Sequence, residues 1–213
     1  NVAKKVEMIA FGSLAHRSVN QQDQDIAINC DSGNDANHDA HCDSSFETLK
    51  QLLAANPNAI RFLDLNLRHP HYHESRLQTL LAFADILKIN EDEFNYLKKL
   101  LNLTAQTTRD ALFSMIQLLS LNFIILTLGQ NGSIVMSEHD YSAKSALKTD
   151  IINTVGAGDS FSAGFLSALN RGASFAKAHD FANQLSDYIC TQEGAFVEIP
   201  QRFKTMLAQL SHW

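Results

Sequence analysis

The sequence has few cysteines, no long apolar run and no cluster of basic residues. Its three cysteines, Cys30, Cys42 and Cys190, are odd in number and widely spaced, which excludes a disulfide scaffold and favours a reducing compartment. No stretch approaches the roughly 20 apolar residues that a transmembrane helix needs, and the start shows no charged-then-apolar leader. We therefore expect a cytoplasmic protein that binds neither membranes nor nucleic acid.

The net charge of −6 comes from one segment. Residues 20–44 hold six of the 23 acidic residues and no Lys or Arg, so 17 acidic residues face 17 basic ones elsewhere. This acidic segment has few apolar residues, which predicts a surface loop or insert. Its histidines and cysteines do not have the spacing of a zinc site. A capping-box pattern at Ser44 predicts that a helix begins there.

The remaining sequence alternates between strand and helix patterns. With 213 residues and 45% hydrophobic content, we expect one α/β domain portion over residues 1–213, built on a doubly wound parallel sheet. The predicted strands are 8–11, 60–67, 86–89, 123–128 and two short ones near 133–137 and 149–152. The predicted helices are 45–55, 75–84, 91–101, 109–120, 159–170, 174–191 and 201–210.

The most informative run is N-T-V-G-A-G-D-S-F, residues 153–161. Two glycines around a small residue at a helix start leave backbone N–H groups unobstructed at the positive end of the helix dipole, which is an anion site. Asp159 lies in the same turn and could accept a proton from an attacking hydroxyl. Capping of the helix by Asp159 is an equally weighted alternative.

Two other phosphate motifs are excluded. The chain has no G-x-x-x-x-G-K-[ST], and Phe161 stands where a dinucleotide fingerprint needs its third small residue. The run resembles instead the C-terminal signature D-T-x-G-A-G-D-x-F of the ribokinase-like (PfkB) carbohydrate kinases. Asn153 departs from that pattern, because the family usually has Asp there. The resemblance implies that Asp159 is the catalytic base and that Gly156, Ala157 and Gly158 supply amides to the phosphoryl group.

A second resemblance lies at the strand 123–128, which ends in T-L-G-Q-N-G. This run is similar to the family's T-x-G-x-x-G nucleotide loop and implies that Thr127, Gly129 and Gly132 bind nucleotide. A plain turn between strands is the alternative. By the same resemblance Asn183 and Gly194 belong to the adenine side, although a lone Asn on a helix is more often a surface residue.

Asn90 and Glu93 form an N-x-x-E pattern directly after a short apolar strand. The family uses this motif around magnesium and its waters, so the resemblance implies that both residues serve the metal. Ordinary helix capping, with Asn90 as N-cap and Glu93 completing a capping box, is the alternative, and the two roles are compatible.

Asp64, Asn66 and Arg68 alternate along the predicted strand 60–67 and its end. Period-two spacing places them on one face of the strand. We expect this face to line a cleft, because burying these polar side chains without water would cost free energy. The family has a matching D-x-N-x-R segment beside its substrate, which implies that Asn66 and Arg68 contact the substrate or the phosphate. An ion pair between Asp64 and Arg68 is the alternative for Asp64.

The resemblance as a whole implies an ATP-dependent, magnesium-requiring kinase that phosphorylates a sugar hydroxyl, with fructose or a related sugar favoured and a homodimer as one assembly to consider. The family's N-terminal G-G-x-x-x-N sugar motif and β-strand lid have no counterpart in this sequence, so we expect the C-terminal portion of such a kinase. Two alternatives remain: a catalytically silent nucleotide-binding regulator, and an inactive truncated gene product.

Overall fold

The computed structural model describes residues 7–12, 38–67, 74–147, 150–194 and 197–210, with the backbone alone for 38–44. The chain divides into two compact units, Asn1–Phe123 and Ile124–Trp213, called the first and second unit below. None of the helices in the described ranges combines the length and the apolar character needed to cross a bilayer.

Parallel strands form the centre of the first unit. Strand β1 (Met8–Gly12) pairs with β2 (Ile60–Asp64), and β2 pairs with β3 (Ile86–Asn90), both in parallel. The register places Leu63 opposite Leu87 and Asp64 opposite Lys88. Four consecutive residues of β3 are buried, as expected of a parallel strand that is covered on both faces.

The described residues of the first unit form four helices: α1 (His38–Ala55), α2 (Glu74–Phe83), α3 (Glu91–Leu100) and α4 (Thr108–Leu119). In α4 the buried residues recur at three- and four-residue intervals, because one face of the helix turns toward the core. The same helix begins after Thr107, whose hydroxyl accepts the Asp110 N–H at 3.1 Å, and ends at Ser120 in the left-handed conformation.

The second unit contains antiparallel strands. Strand β4 (Phe123–Thr127) pairs with β5 (Ser133–Met136), and β5 pairs with β6 (Tyr141–Lys144). A short 3₁₀ turn, Gly129–Asn131, joins β4 to β5. Gly132 follows it at φ 97°, and a Cβ on Gly132 would lie 1.9 Å from the Lys144 carbonyl oxygen, so no other residue fits there.

Helices α5 (Ala157–Asn170), α6 (Phe175–Cys190) and α7 (Gln201–Gln209) complete the second unit. Helices α5 and α6 approach closely, because a Cβ on Gly164 of α5 would lie only 3.2 Å from the Ala182 Cα of α6. Phe161, Phe165 and Ala168 of α5 are buried, as are Phe181 and Leu185 of α6.

Three local predictions require correction. The helix predicted from Ser44 begins at His38, so the last seven residues of the predicted acidic loop are helical, while its part 20–37 lies outside the described residues. The strand predicted over 60–67 ends at Asp64. The short strand near 149–152 is irregular over 150–152, and β6 at Tyr141–Lys144 was missed.

The α/β class is confirmed, with helices and strands in alternation through the first unit. The prediction of a parallel sheet did not anticipate that β4 pairs with β5, and β5 with β6, in antiparallel fashion. Strands β4 and β5 were predicted as strands, whereas β6 has only four residues, none of them buried, so its hydrophobic pattern does not distinguish it from a loop.

Candidate functional site

The turn before α5 lies at the centre of the candidate nucleotide site in the second unit. Asn153 Oδ1 accepts the Val155 N–H at 2.9 Å, and the Ala157 N–H donates to the Thr154 carbonyl at 3.2 Å. Gly156 then takes φ 82°, a left-handed value that favours glycine, and α5 begins at Ala157. The sequence thus forms a sharp turn that leads directly into a helix N-terminus.

The first-turn amides of α5 are the anion-binding element of this turn. The Ser160 N–H already bonds to the Gly156 carbonyl at 2.8 Å, so the helical ladder starts there. No side chain caps the helix, since its N-cap residue is Gly156. The Ala157 amide is used within the turn, which leaves the Gly158 and Asp159 amides as the helical donors without an intrahelical acceptor. These two helical amides remain for an anion, together with the Gly156 N–H, which also has no acceptor among the described residues, so Gly156 and Gly158 of the predicted set keep a free amide while that of Ala157 is used.

Asp159 is the third residue of α5 and is exposed. No hydrogen bond or ion pair engages its carboxylate within the part of the chain that the structure describes. The capping alternative is wrong, because Gly156 occupies the N-cap position and Asp159 lies three residues beyond it. Its carboxylate thus lies open in the same turn as the two amides.

The Thr127–Gly132 loop is closed by its own backbone. Leu128 N–H donates to the Gly132 carbonyl at 2.8 Å, and Gly132 N–H donates to the Gly129 carbonyl at 3.0 Å. Thr127 and Ser133 face each other across the β4–β5 ladder at the base of the loop. Gly129, at φ 55°, is exposed at the tip of the loop, and a Cβ added to it would meet no atom within 4 Å, so a ligand could approach its backbone closely.

Asn183 is buried within a hydrogen-bond network. Its Oδ1 accepts the Ser133 hydroxyl at 3.0 Å, and its Nδ2 donates to the Ser145 carbonyl at 3.1 Å and to Asp187 Oδ2 at 3.4 Å. Both amide hydrogens are therefore in use. The role predicted for Asn183 beside the adenine stays a prediction. Gly194, the other residue predicted there, is exposed and has a φ of 82°.

His179 belongs to the same network and was missed by the sequence analysis. Its ring is fully buried and lies 2.9 Å from Ser133 Oγ through Nε2 and 2.8 Å from Ser142 Oγ through Nδ1. Burial, helped by Lys144 and opposed by Asp180, lowers the pKa of His179 to about 4. The available signal was a histidine on the apolar face of α6, beside the buried Ala178 and Ala182.

A pocket of about 260 Å³ lies beside α6 and α7 in the second unit, where it is lined by Leu147, Asp187 and Arg202 among others. Arg202 lies over the Tyr188 ring at 5.4 Å and over the Phe203 ring at 4.9 Å. Burial raises the pKa of Asp187, whose Oδ2 accepts the Leu147 N–H at 3.0 Å.

The first unit brings together the predicted metal residues. Asn90 Oδ1 accepts the Glu93 N–H at 2.9 Å, and Glu93 Oε2 accepts the Asn90 N–H at 2.9 Å, so the predicted capping box is confirmed. Glu93 Oε1 accepts the Leu67 N–H at 2.7 Å. Glu93 is 4% exposed, and its pKa is raised by burial despite these backbone hydrogen bonds.

The donor set around α3 fits magnesium in chemistry. Each Glu93 carboxylate oxygen takes one backbone amide and retains a second lone pair, and hard oxygen donors that contact the ion through water suit Mg²⁺. Among the described residues there is no group of three His, Cys, Asp or Glu side chains that could hold a metal without other ligands. A metal here would therefore rely on water for most of its ligands.

Asp64 forms an ion pair with Lys88. Its Oδ2 lies 2.6 Å from Lys88 Nζ on the neighbouring strand, and the Lys88 side chain is 9% exposed. Arg68, the partner in the alternative considered for Asp64, lies outside the described residues, so that ion pair stays a prediction. The predicted alternation fails at Asn66, because its φ of 45° ends the extended conformation after Asp64. A lysine within the apolar β3 was the available signal for this ion pair.

Comparison with known proteins identifies the family. The model of the pfkB family carbohydrate kinases matches residues 15–202, which is most of the chain. The chain therefore belongs to the pfkB family of carbohydrate kinases, and the resemblance noted in the sequence is confirmed.

Individual relatives differ in the acceptor that their names specify. The chain is 30% identical over 168 residues to a fructokinase of Vibrio alginolyticus, covering 74% of this chain and 52% of the fructokinase. It is 25% identical over 210 residues to a nucleoside kinase of Methanothermobacter thermautotrophicus, covering 99% of this chain and 59% of that kinase. The chain thus spans about half the length of the curated relatives that it matches.

A solved structure shows the same fold. Fructokinase from Vibrio cholerae O395, crystallised with fructose, ADP and a calcium ion, superposes with a TM-score of 0.63 at 21% identity, covering 96% of this chain and 61% of that one.

Proposed function

We propose that these residues form the nucleotide-binding and base-carrying portion of a kinase that transfers the γ-phosphoryl group of ATP to a hydroxyl of a sugar, with fructose or a related sugar favoured. The observation that carries the proposal is the N-terminus of α5, where the amides of Gly158 and Asp159 accompany an exposed Asp159 carboxylate that has no partner among the described residues. Family membership supports a carbohydrate or nucleoside acceptor.

In this proposal Asp159 takes the proton of the attacking hydroxyl. A bond forms between the hydroxyl oxygen and the γ-phosphorus, the bond from that phosphorus to the β–γ bridging oxygen breaks, and ADP leaves with the electron pair. The first-turn amides of α5 stabilise the negative charge on the phosphoryl oxygens, because these N–H groups lie at the positive end of the helix dipole. In such a loose transition state, positioning and electrostatics supply most of the rate enhancement.

The nucleotide is held by the second unit in this scheme. The loop of Thr127, Gly129 and Gly132 lets the nucleotide approach the protein backbone closely. The exposed turn at Gly194 and the part of α6 that carries Asn183 would lie beside the adenine. Asn90 and Glu93 of the first unit would hold Mg²⁺ through water, and Asn66 and Arg68 would contact the substrate. When bound, the ion offsets the negative charge of the phosphates.

The test uses the natural protein that carries these 213 residues. ATP with Mg²⁺ is offered with fructose, ribose, 2-keto-3-deoxygluconate and nucleosides, and ADP formation is followed beside mass detection of the phosphorylated product. We expect ADP formation that depends on one of these acceptors. Absence of both nucleotide binding and turnover would overturn the proposal.

A catalytically silent nucleotide-binding relative is the second candidate. It is favoured by Asn153, which replaces the family's usual Asp and whose Oδ1 is occupied by the Val155 N–H. Binding of ATP without turnover of any acceptor in the same experiment would select this candidate. An inactive truncated gene product would neither bind ATP nor phosphorylate an acceptor.

A further inference from the structure

We propose that His179 is a positioning residue that holds the Thr127–Gly132 loop against α6 and thereby sets the affinity of the second unit for nucleotide. This inference rests on the proposed function, since it assigns the loop to nucleotide binding. His179 reaches the loop through the serine that it bonds at the base of the loop, so its action on the loop is indirect.

The direction of the hydrogen bonds follows from counting hydrogens. Asn183 Oδ1 can only accept, so the single hydroxyl hydrogen of Ser133 is donated to it at 3.0 Å. His179 Nε2 must then carry the hydrogen that it shares with Ser133 Oγ at 2.9 Å. His179 Nδ1 is left without a hydrogen and accepts the Ser142 hydroxyl at 2.8 Å. The result is a one-way chain from Ser142 through a neutral imidazole to Ser133 and Asn183.

This chain ends at the base of the loop. Ser133 follows Gly132 directly and faces Thr127 across the ladder, so fixing Ser133 fixes the residue pair that closes the loop. Gly132 itself packs against the Lys144 carbonyl of β6, the strand that also carries Ser142. One imidazole therefore ties α6 to β5, which follows the loop, and to β6, against which Gly132 packs.

The same helix also contacts the start of α5. Ser186 donates its hydroxyl to the Ala157 carbonyl at 3.0 Å, and the Phe161 ring meets the His179 ring edge-on at 5.9 Å. Helix α6 is thus bonded to the turn that carries Asp159 and, through His179, to the glycine loop. A shift of α6 would alter the position of both elements.

An apolar residue would fill this buried position without the cost of burying two polar nitrogen atoms. The histidine instead bonds two serine hydroxyls, and removing it takes away the acceptor of the half-buried Ser142 hydroxyl and the donor to the buried Ser133 oxygen, which keeps only its bond to Asn183. Its contribution is therefore the specific geometry of loop and helix, which an apolar side chain could not impose.

The test compares His179→Leu, His179→Gln and Leu185→Ala in the 213-residue chain. Glutamine can still donate to Ser133, whereas leucine cannot. Leu185→Ala removes a buried side chain of the same helix without touching the network and controls for lost stability. We measure the Kd for ATP with Mg²⁺ by calorimetry, and amide hydrogen exchange at Leu128, Asn131 and Gly132.

We expect His179→Leu to raise the Kd and the exchange rate of these three amides by about tenfold or more, the scale of one lost buried hydrogen bond. In His179→Gln the Kd and the exchange rates should stay close to those of the native chain. Leu185→Ala should change the Kd less than about twofold. Unchanged loop exchange in His179→Leu overturns the positioning role. If the native chain fails to bind ATP, the proposed function fails, while loop exchange still decides the role of His179.

Discussion

Asp159 is exposed in the first turn of a helix, and its carboxylate has no hydrogen-bond or ion-pair partner in the part of the chain that the structure describes. A purely structural role does not account for this placement. A negative charge there favours the helix through its dipole, but the same charge opposes a bound phosphate. Proton transfer from the acceptor hydroxyl explains why a carboxylate is found beside amides that are suited to an anion.

Asp159→Asn should lower kinase turnover by at least roughly a hundredfold and leave the Kd for ATP nearly unchanged, because a general base acts in the transition state. Both quantities are measured in the natural protein that carries this chain. Asp110→Asn is the matched control, since Asp110 holds the same third position in α4 and is exposed. Full turnover in Asp159→Asn would exclude the base assignment.

His179 predicts a pH dependence of stability. Its pKa falls from an ordinary 6.5 to about 4 in the folded protein, so between these values the unfolded chain binds a proton that the folded one does not. The free energy of unfolding should therefore decrease as pH falls from about 6.5 and stop decreasing from this cause below about 4, by up to about 3 kcal/mol in all.

Urea denaturation of the native chain and of His179→Gln between pH 4 and 7 measures this effect. Glu93 and Asp187 have raised pKa values, so their stabilising effect is lost as pH rises, which is the opposite sense. Lys144 and Asp180 remain in both proteins. The native-minus-variant difference thus isolates His179, and a difference that does not change with pH would contradict the assignment.

At the scale of elements, the stability of the β4–β5 connection should depend more on Gly132 than on Gly129. Gly132→Ala should cost more than about 3 kcal/mol, because its Cβ would collide with the Lys144 backbone at a φ that L-residues avoid. Gly129→Ala should cost only about 1–2 kcal/mol, since its φ is left-handed but the space around it is open.

Urea midpoints and slopes of the two alanine variants provide the comparison. Gly172, another exposed glycine with positive φ and an open Cβ position, supplies a control outside the loop. Equal losses at Gly129 and Gly132 would show that backbone strain alone, and not contact with β6, governs this turn.

At the scale of the whole molecule, the chain spans about half the length of the curated relatives that it matches. Orientation of the acceptor and exclusion of water can each lower a barrier by several kcal/mol. We therefore expect the 213-residue chain by itself to bind ATP or ADP weakly, in a magnesium-dependent way, and to phosphorylate sugars negligibly.

Calorimetry with ATP, with and without Mg²⁺, measures nucleotide binding. A coupled assay over the same sugars measures phosphorylation. The Asp159→Asn variant, purified in the same way, serves as the blank for contaminating kinases. Robust sugar phosphorylation by the 213-residue chain would show that the residues required for the acceptor are all present in it.

The sequence by itself determined the features that depend on neighbours along the chain. The Gly156 turn, the start of α5 and the Asn90–Glu93 capping box were predicted from residues within a few positions of one another. Backbone conformation and capping are local, because they depend on φ and ψ limits and on amides that lie one helical turn away. The family signature is local in the same sense.

Only the tertiary structure decided which distant residues meet. The Asp64–Lys88 ion pair joins residues 24 positions apart, and the bonds of His179 to Ser142 and Ser133 join residues 37 and 46 apart. No local pattern specifies such pairs, because strand register and helix packing bring them together only when the apolar faces are buried. For the same reason the sequence could place Asn183 on a helix, whereas packing decided that its amide faces a buried network.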